Sequence, residues 1–258
     1  LRAEGLAPLI RGDIMRPKRI TLIWLAALAV VTLALVAMAL VKPSLDAVGA
    51  NTASVARQMP TATPTPKQLK VAFIGDSYTA GAGVLPQDAW PSVLAGSRGW
   101  TIVNLARGGT GYVAAWASGG QKACGQDVCP NYVGMVPAAV AAAPDVVIVA
   151  GGRNDGQKMS SELQQNVLAT FSALRKGLPN AKIIALSPIL AADDSASSFP
   201  DLKPVVSAAV QAVGGTYVDL GAPLGGHPEL IGPDGVHPNT AGQKALADAT
   251  DKLLPKLP

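Results

Sequence analysis

Five short apolar runs, each followed by a helix-like stretch, constrain the fold of this chain more than any other feature. The runs are Leu69 to Ile74, Thr101 to Leu105, Asp145 to Ala150, Lys182 to Leu186 and Thr216 to Leu220. The stretches between and after them are Trp90 to Gly96, Val136 to Ala143, Ser160 to Lys176, Leu202 to Val213 and Thr240 to Leu254. The clearest run, Asp-Val-Val-Ile-Val-Ala at 145–150, is apolar without alternation, as a strand buried on both faces must be. Two helices carry start signals, Ser160-Ser161-Glu162 and Asn239-Thr240. Strand and helix in strict alternation imply an α/β fold: a five-stranded parallel sheet with helices on both faces, in flavodoxin-like order. The 190 residues from 69 to 258 are ample for such a core.

The residues before that domain read differently. Ile20 to Val41 is 22 residues without a charge, long enough to span a bilayer as a helix. Arg11, Arg16, Lys18 and Arg19 precede it and only Lys42 follows closely, so the positive-inside rule puts the N-terminus in the cytoplasm and the rest outside. A cleaved signal peptide, with Val48-Gly49-Ala50 as its small-residue site, is the alternative; signal-peptide apolar regions are shorter, roughly 7 to 15 residues. The expected order is a basic cytoplasmic lead-in at 1–19, an anchor at 20–41, a spacer at 42–68 and the folded domain at 69–258. Met15-Arg16-Pro17-Lys18-Arg19 is an ordinary basic lead-in, and translation is expected to begin at Met15. The run Pro60-Thr61-Ala62-Thr63-Pro64-Thr65-Pro66 makes the spacer extended and semi-rigid.

The net charge of +4 arises entirely before the spacer: six basic and two acidic residues lie at or before Lys42, and 15 of each sign follow. The basic balance therefore belongs to membrane topology, and nothing points to nucleic acid. Cys124 and Cys129 are the only cysteines. Outside the membrane a pair this close is expected to form a disulfide acting as a local staple. A zinc site made with both histidines would need His227 and His237 closer together than their nine-residue gap.

Ser77 follows the first run in Gly75-Asp76-Ser77, at the carboxyl end of a strand where such sheets present side chains to ligands. A serine there becomes a nucleophile if a histidine takes its proton. His237 lies in Asp234-Gly235-Val236-His237, just before the last helix. The three-residue separation lets the Asp234 carboxylate curl back to the imidazole Nδ1 and leaves Nε2 for a serine. Either residue alone is more simply a turn cap or a surface histidine; the two together are not so easily dismissed. A Gly-x-Ser-x-Gly elbow is excluded, because Thr79 stands where the second glycine belongs. Two further loops offer oxyanion donors: 104–111, rich in glycine, and 151–155, where the Asn154 amide is available.

Together these blocks resemble the SGNH/GDSL hydrolases. Gly75-Asp76-Ser77 matches the first block, Gly109 the glycine block (with Gly108 as a second register), Gly152-Arg153-Asn154-Asp155 the Gly-x-Asn-Asp block, and Asp234 to His237 the Asp-x-x-His block. All four occur in order between Leu69 and about Pro255. The first block departs from the family in reading Ser-Tyr-Thr rather than Ser-Leu-Thr, which places Tyr78 as a residue of packing or pocket shape. The resemblance implies a three-layer α/β/α fold and ester hydrolysis through an acyl-serine, with Ser77, His237 and Asp234 as the triad. It also implies an oxyanion hole built from the N–H groups of Ser77 and Gly109 and the Asn154 side chain. No cofactor or metal is implied.

His227 lacks an Asp three residues before it and reads as loop structure. Trp90, Trp100 and Trp116 belong either to the core or to a substrate pocket. The region from Tyr112 to Tyr132 reads as a long loop shaping substrate access. The expectation is a monomeric, membrane-tethered, extracytoplasmic serine esterase acting on an acyl ester, such as an acetyl ester of envelope glycan or a lipid ester. The alternatives are a glycan-binding module without catalysis, and an acyltransferase using the same triad.

Overall fold

The structure, a computed structural model, describes residues 68–156, 158–194 and 201–257. The expected lead-in, anchor and all but the last residue of the spacer lie outside these. Among the described residues no helix is long and apolar enough to cross a membrane.

Five strands form one sheet: β1 (Lys70–Gly75), β2 (Thr101–Asn104), β3 (Val146–Ala150), β4 (Lys182–Leu186) and β5 (Thr216–Val218). Their order is β2-β1-β3-β4-β5 and every pairing is parallel. Among the described residues the α-helices are α1 (Ser77–Ala80), α2 (Trp90–Arg98), α3 (Gln121–Cys124), α4 (Tyr132–Ala142), α5 (Ser161–Gly177), α6 (Lys203–Ala212) and α7 (Thr240–Leu253). Each strand and each long helix falls within a few residues of its expected position. The largest offset is α4, which begins at Tyr132 rather than Val136, because the Asn131 side chain accepts from the Gly134 N–H and caps the helix there.

Alternate residues of each strand enter different cores. Ala72, Ile74, Val147 and Val149 pack with α4, α5 and α6 on one face. Val71, Phe73, Val146 and Ile148 pack with α2 and α7 on the other. All five residues of β3 are inaccessible to solvent, so the unbroken apolar run reflects burial on both faces. At roughly 1.5–3 kcal/mol for each large aliphatic side chain buried, the central strands are the rigid base of the molecule. The expected caps form: Ser160 Oγ accepts from Leu163 N, and Asn239 Oδ1 from Gly242 N.

The chain leaves β1 toward β2 on one side and takes up β3 on the other, which makes the β1/β3 boundary the switch point of the sheet. Ligands bind at the carboxyl ends of strands at such a point, because the connecting loops diverge and leave a crevice. The loops after β1, β2 and β3 all emerge there.

Candidate active site

Ser77 is the first residue of α1 and follows β1 after a single intervening residue, Asp76. That tight turn requires Gly75: a Cβ there would stand 2.3 Å from the Ala150 carbonyl oxygen and 2.6 Å from Thr79 Cβ. Asp76 caps α1 by accepting from Tyr78 N at 3.0 Å. Burial raises its carboxyl pKa to about 6, against the lowering effects of the Tyr78 N–H and the Arg153 charge. Thr79 Oγ1 donates to the Ala150 carbonyl, and the Thr79 carbonyl accepts from Asn104 Nδ2, so α1 is pinned to β3 and β2 at once.

The candidate base, His237, comes from the far end of the chain. His237 Nδ1 lies 2.6 Å from Asp234 Oδ2, while Asp234 Oδ1 accepts from the backbone N–H groups of Val236 and His237, each at 3.0 Å. These bonds, led by the one to His237, hold the Asp234 carboxyl down to about 2. An ionised carboxylate at Nδ1 makes that nitrogen the protonated one and leaves Nε2 as the acceptor. Ser77, Asn154, Gly109 and His237 line one cavity of about 370 Å³.

The candidate donors are positioned by their own neighbours. Asn154 Nδ2 donates to the Thr110 carbonyl at 2.9 Å, which fixes the amide and leaves its second N–H for a ligand. Of the two glycine registers, Gly109 lines the cavity with Ser77 and Gly108 does not. Gly109 has φ +70°, a conformation open to glycine at no steric cost. The carboxylate of Asp155, whose pKa burial raises, accepts from the N–H groups of Tyr112, Val113 and Ala114 at 2.7–2.9 Å and so anchors the loop beyond the glycines.

Residues 112–132 leave and rejoin the fold at one place. Tyr132 N donates to the Gly111 carbonyl, and the rings of Tyr112 and Tyr132 pack edge to face with centroids 4.8 Å apart. Inside the excursion Cys124 and Cys129 are joined in the expected disulfide, and Trp116 pairs with Cys129 through a short antiparallel bridge. The loop lies directly on the glycine block: a Cβ on Gly108 would fall 1.8 Å from the Ala123 carbonyl oxygen, and one on Gly109 would fall 2.5 Å from Trp116 Nε1. Of the three tryptophans considered, Trp90 is core, edge-on to Phe73, and Trp100 packs partly buried beside it. Trp116 lies against Gly109 without lining the cavity. His227 pairs with Glu229 and does not line the cavity.

One positioning residue escapes a reading of the sequence in its detail. Tyr78 is fully buried, and its hydroxyl donates to the Val236 carbonyl at 2.5 Å, tying the residue after Ser77 to the residue before His237. Its ring lies 5.8 Å from the His237 ring and 4.7 Å from the Arg153 guanidinium, which is ion-paired with Asp194 and donates to the Ile189 carbonyl. The tyrosine in place of leucine is the signal; its partner, a backbone carbonyl 158 positions away, leaves no trace in sequence.

Residues 73–245 match the GDSL-like Lipase/Acylhydrolase family. The chain is 34% identical over 197 residues to a GDSL lipase of Mycobacterium tuberculosis, covering 71% of this chain and 80% of that one. Among solved structures it is similar to the psychrotrophic esterase EstA from Pseudoalteromonas sp. (17% identity, TM-score 0.54, 72% of this chain and 96% of that one). It is also similar to a carbohydrate esterase family 2 enzyme with a carbohydrate-binding domain from Corynascus thermopiles (21% identity, TM-score 0.53, 75% and 67%). At these identities the two structures bear on the fold alone, and they share it.

Proposed function

The chain belongs to the GDSL-like lipase/acylhydrolase family, a serine ester hydrolase, and on that premise we propose that Ser77, His237 and Asp234 are its catalytic triad. The observation that carries this assignment is the 2.6 Å Asp234–His237 bond at the rim of the cavity that Ser77 and Asn154 also line.

In the reaction, Ser77 Oγ attacks the ester carbonyl carbon while its proton passes to His237 Nε2. Asp234 holds Nδ1–H and stabilises the imidazolium. The carbonyl oxygen becomes an oxyanion held by the N–H groups of Ser77 and Gly109 and by the second N–H of Asn154. Collapse breaks the bond to the alcohol oxygen, which takes the proton from His237. Water, deprotonated by the same histidine, then attacks the acyl-serine and releases the acid. Transfer of the acyl group to a sugar hydroxyl would use the same steps with that hydroxyl in place of water.

We propose further that the enzyme works as a monomer outside the cytoplasmic membrane, on a short acyl ester of envelope glycan or on a lipid ester. The charge-free segment 20–41, its basic flank and the Pro/Thr spacer support this reading. Ser77→Ala should abolish hydrolysis of p-nitrophenyl esters, and a fluorophosphonate should label wild type at Ser77 alone. Turnover by Ser77→Ala at the wild-type rate would overturn the triad; binding of glycan without turnover of any ester would favour a non-catalytic role.

A further inference from the structure

A second cavity adjoins the one that holds Ser77; the first is lined by the exposed Lys122 and by Arg153, the second by Arg107. It measures about 430 Å³ and shares Ala82 and Ala123 with the first, so the two meet across a thin partition. Small residues of α1 and the turn after it (Ala80, Gly81, Ala82) form one side, and Gly108 and Arg107 form another. Arg107 is half-buried and pairs with no carboxylate among the described residues. Its Nη1 donates to the Ala106 carbonyl at 3.0 Å, and the other four guanidinium N–H groups have no partner among those residues. No acidic side chain among the described residues lines either cavity. The contrasting arginine is Arg153, in the Ser77 cavity, whose charge is met by Asp194.

Which arm of an ester enters the second cavity follows from the proton transfer. The departing alcohol must take its proton from His237, so the alcohol arm lies on the side of that residue. His237 lines the first cavity and not the second. The acyl arm therefore extends past Ala82 and Ala123 toward Arg107. A guanidinium with free donors at the end of an acyl pocket is matched by a carboxylate, which accepts two parallel hydrogen bonds from it.

We propose that the second cavity is an acyl subsite selective for a short acyl group ending in a carboxylate, so that the preferred substrates are half-esters of dicarboxylic acids. The proposal rests on the triad reading and adds to it which acyl chemistry the site takes.

The test compares monomethyl succinate with methyl 4-methylpentanoate, in which a branched methyl pair replaces the two carboxylate oxygens, followed by pH-stat titration. Monomethyl glutarate and monomethyl adipate extend the series. Wild type should favour the best half-ester over the neutral ester by about 10- to 100-fold in kcat/KM, the range expected of hydrogen bonds to a charged group. Arg107→Met should bring that ratio to about 1, Arg107→Lys should restore part of it, and Lys252→Met, on the far helix α7, should leave the ratio as in wild type. A wild-type ratio near 1, or a preference that survives Arg107→Met, overturns the subsite while the esterase reading stands. Binding of succinate to Ser77→Ala, measured by calorimetry, reads the subsite without turnover: binding lost in the Ser77→Ala/Arg107→Met protein supports it, and no binding to Ser77→Ala overturns it. Absence of turnover on every ester, with Ser77 unlabelled by fluorophosphonate, instead overturns the triad reading.

Discussion

Ser77 stands on residues sealed into the core, whereas His237 stands on a loop that faces water. Beside the serine, Asp76, Tyr78 and Thr79 are at most 1% exposed, and hydrogen bonds tie α1 to both neighbouring strands. Beside the histidine, the Asp234 side chain is half exposed and Val236 is 45% exposed. The proposed nucleophile therefore inherits its position from the sheet. The base holds its position through a few local bonds and one long-range bond, from the Tyr78 hydroxyl to the Val236 carbonyl. An arrangement of this kind fixes the reacting oxygen and lets the proton carrier adjust, at the cost of concentrating the base's orientation in very few contacts.

The largest effect is expected at the proposed base. Asp234→Asn keeps the shape of the loop but offers Nδ1 an amide in place of a carboxylate, which favours the wrong imidazole tautomer. A fall in kcat on the order of 10³- to 10⁴-fold is expected, with KM little changed, in steady-state kinetics on a p-nitrophenyl ester. A fall under 10-fold would show that the half-exposed carboxylate matters little. Asn154→Ala removes one oxyanion donor and should cost about 10²- to 10³-fold in kcat. Loss of thermal stability as the dominant effect would make Asn154 a support of the Thr110 loop instead.

The buried side has a signature in pH. Asp76 ionises at about 6 in the folded protein and near 3.8 when unfolded, so its charge is tolerated less well inside. Folding is therefore favoured by this group below pH 3.8, and that advantage is lost as pH rises through about 6. The full loss is about 3 kcal/mol, since each pH unit separating the folded and unfolded values is worth roughly 1.4 kcal/mol. Urea unfolding of wild type and Asp76→Asn at pH 4 and pH 7 should give a stability difference that moves by about that amount, in favour of the variant at pH 7. Asp234, held near 2, acts in the opposite sense: its contribution is present above pH 3.8 and lost as pH falls through 2, and its exposure keeps it small. A difference between wild type and Asp76→Asn that does not change with pH would contradict the burial of that charge.

The smallest effect is expected at Tyr78, where the two regions join. Tyr78→Phe keeps the ring and deletes the hydroxyl, leaving the Val236 carbonyl to water. The loss of one such bond, about 0.5–1.5 kcal/mol of stability, should lower the melting temperature by a few degrees, and the looser histidine loop should also lower kcat and the rate of fluorophosphonate labelling by up to about 10-fold, with KM nearly unchanged. A change confined to melting temperature would make Tyr78 a packing residue only.

What can be read from the sequence follows the same division. The strands are legible because burial on both faces leaves unbroken runs such as Val146 to Ala150, and the four blocks because each sits at a strand end or a helix start. The pairing of Cys124 with Cys129 is legible from their close spacing. Helix α1 is not, since four residues carry no periodicity. Nor are the contacts of Trp116 and Ala123 with the glycine block, or that of Tyr78 with Val236. The contacts with Ala123 and Val236 are made to backbone carbonyls, which are the same at every position, and the Trp116 indole meets Gly109 only because the loop turns back on itself. The apolar surroundings of Tyr78 can be guessed; the acceptor of its hydroxyl cannot.

The excursion from 112 to 132 begins and ends at two tyrosines in contact, with Tyr132 N donating to the Gly111 carbonyl. Such a segment departs and returns through one doorway, as an Ω-loop does, and the sheet beneath does not register its length or contents. It is thus a natural cassette: a loop from a relative, spliced between two aromatic residues at these positions, would bring its own pocket wall to an unaltered Ser77. The one clause in that exchange is written by Gly108 and Gly109, whose lack of side chains is the shape of the current loop's underside. Any replacement must lie as flat upon them, or fill the room it leaves.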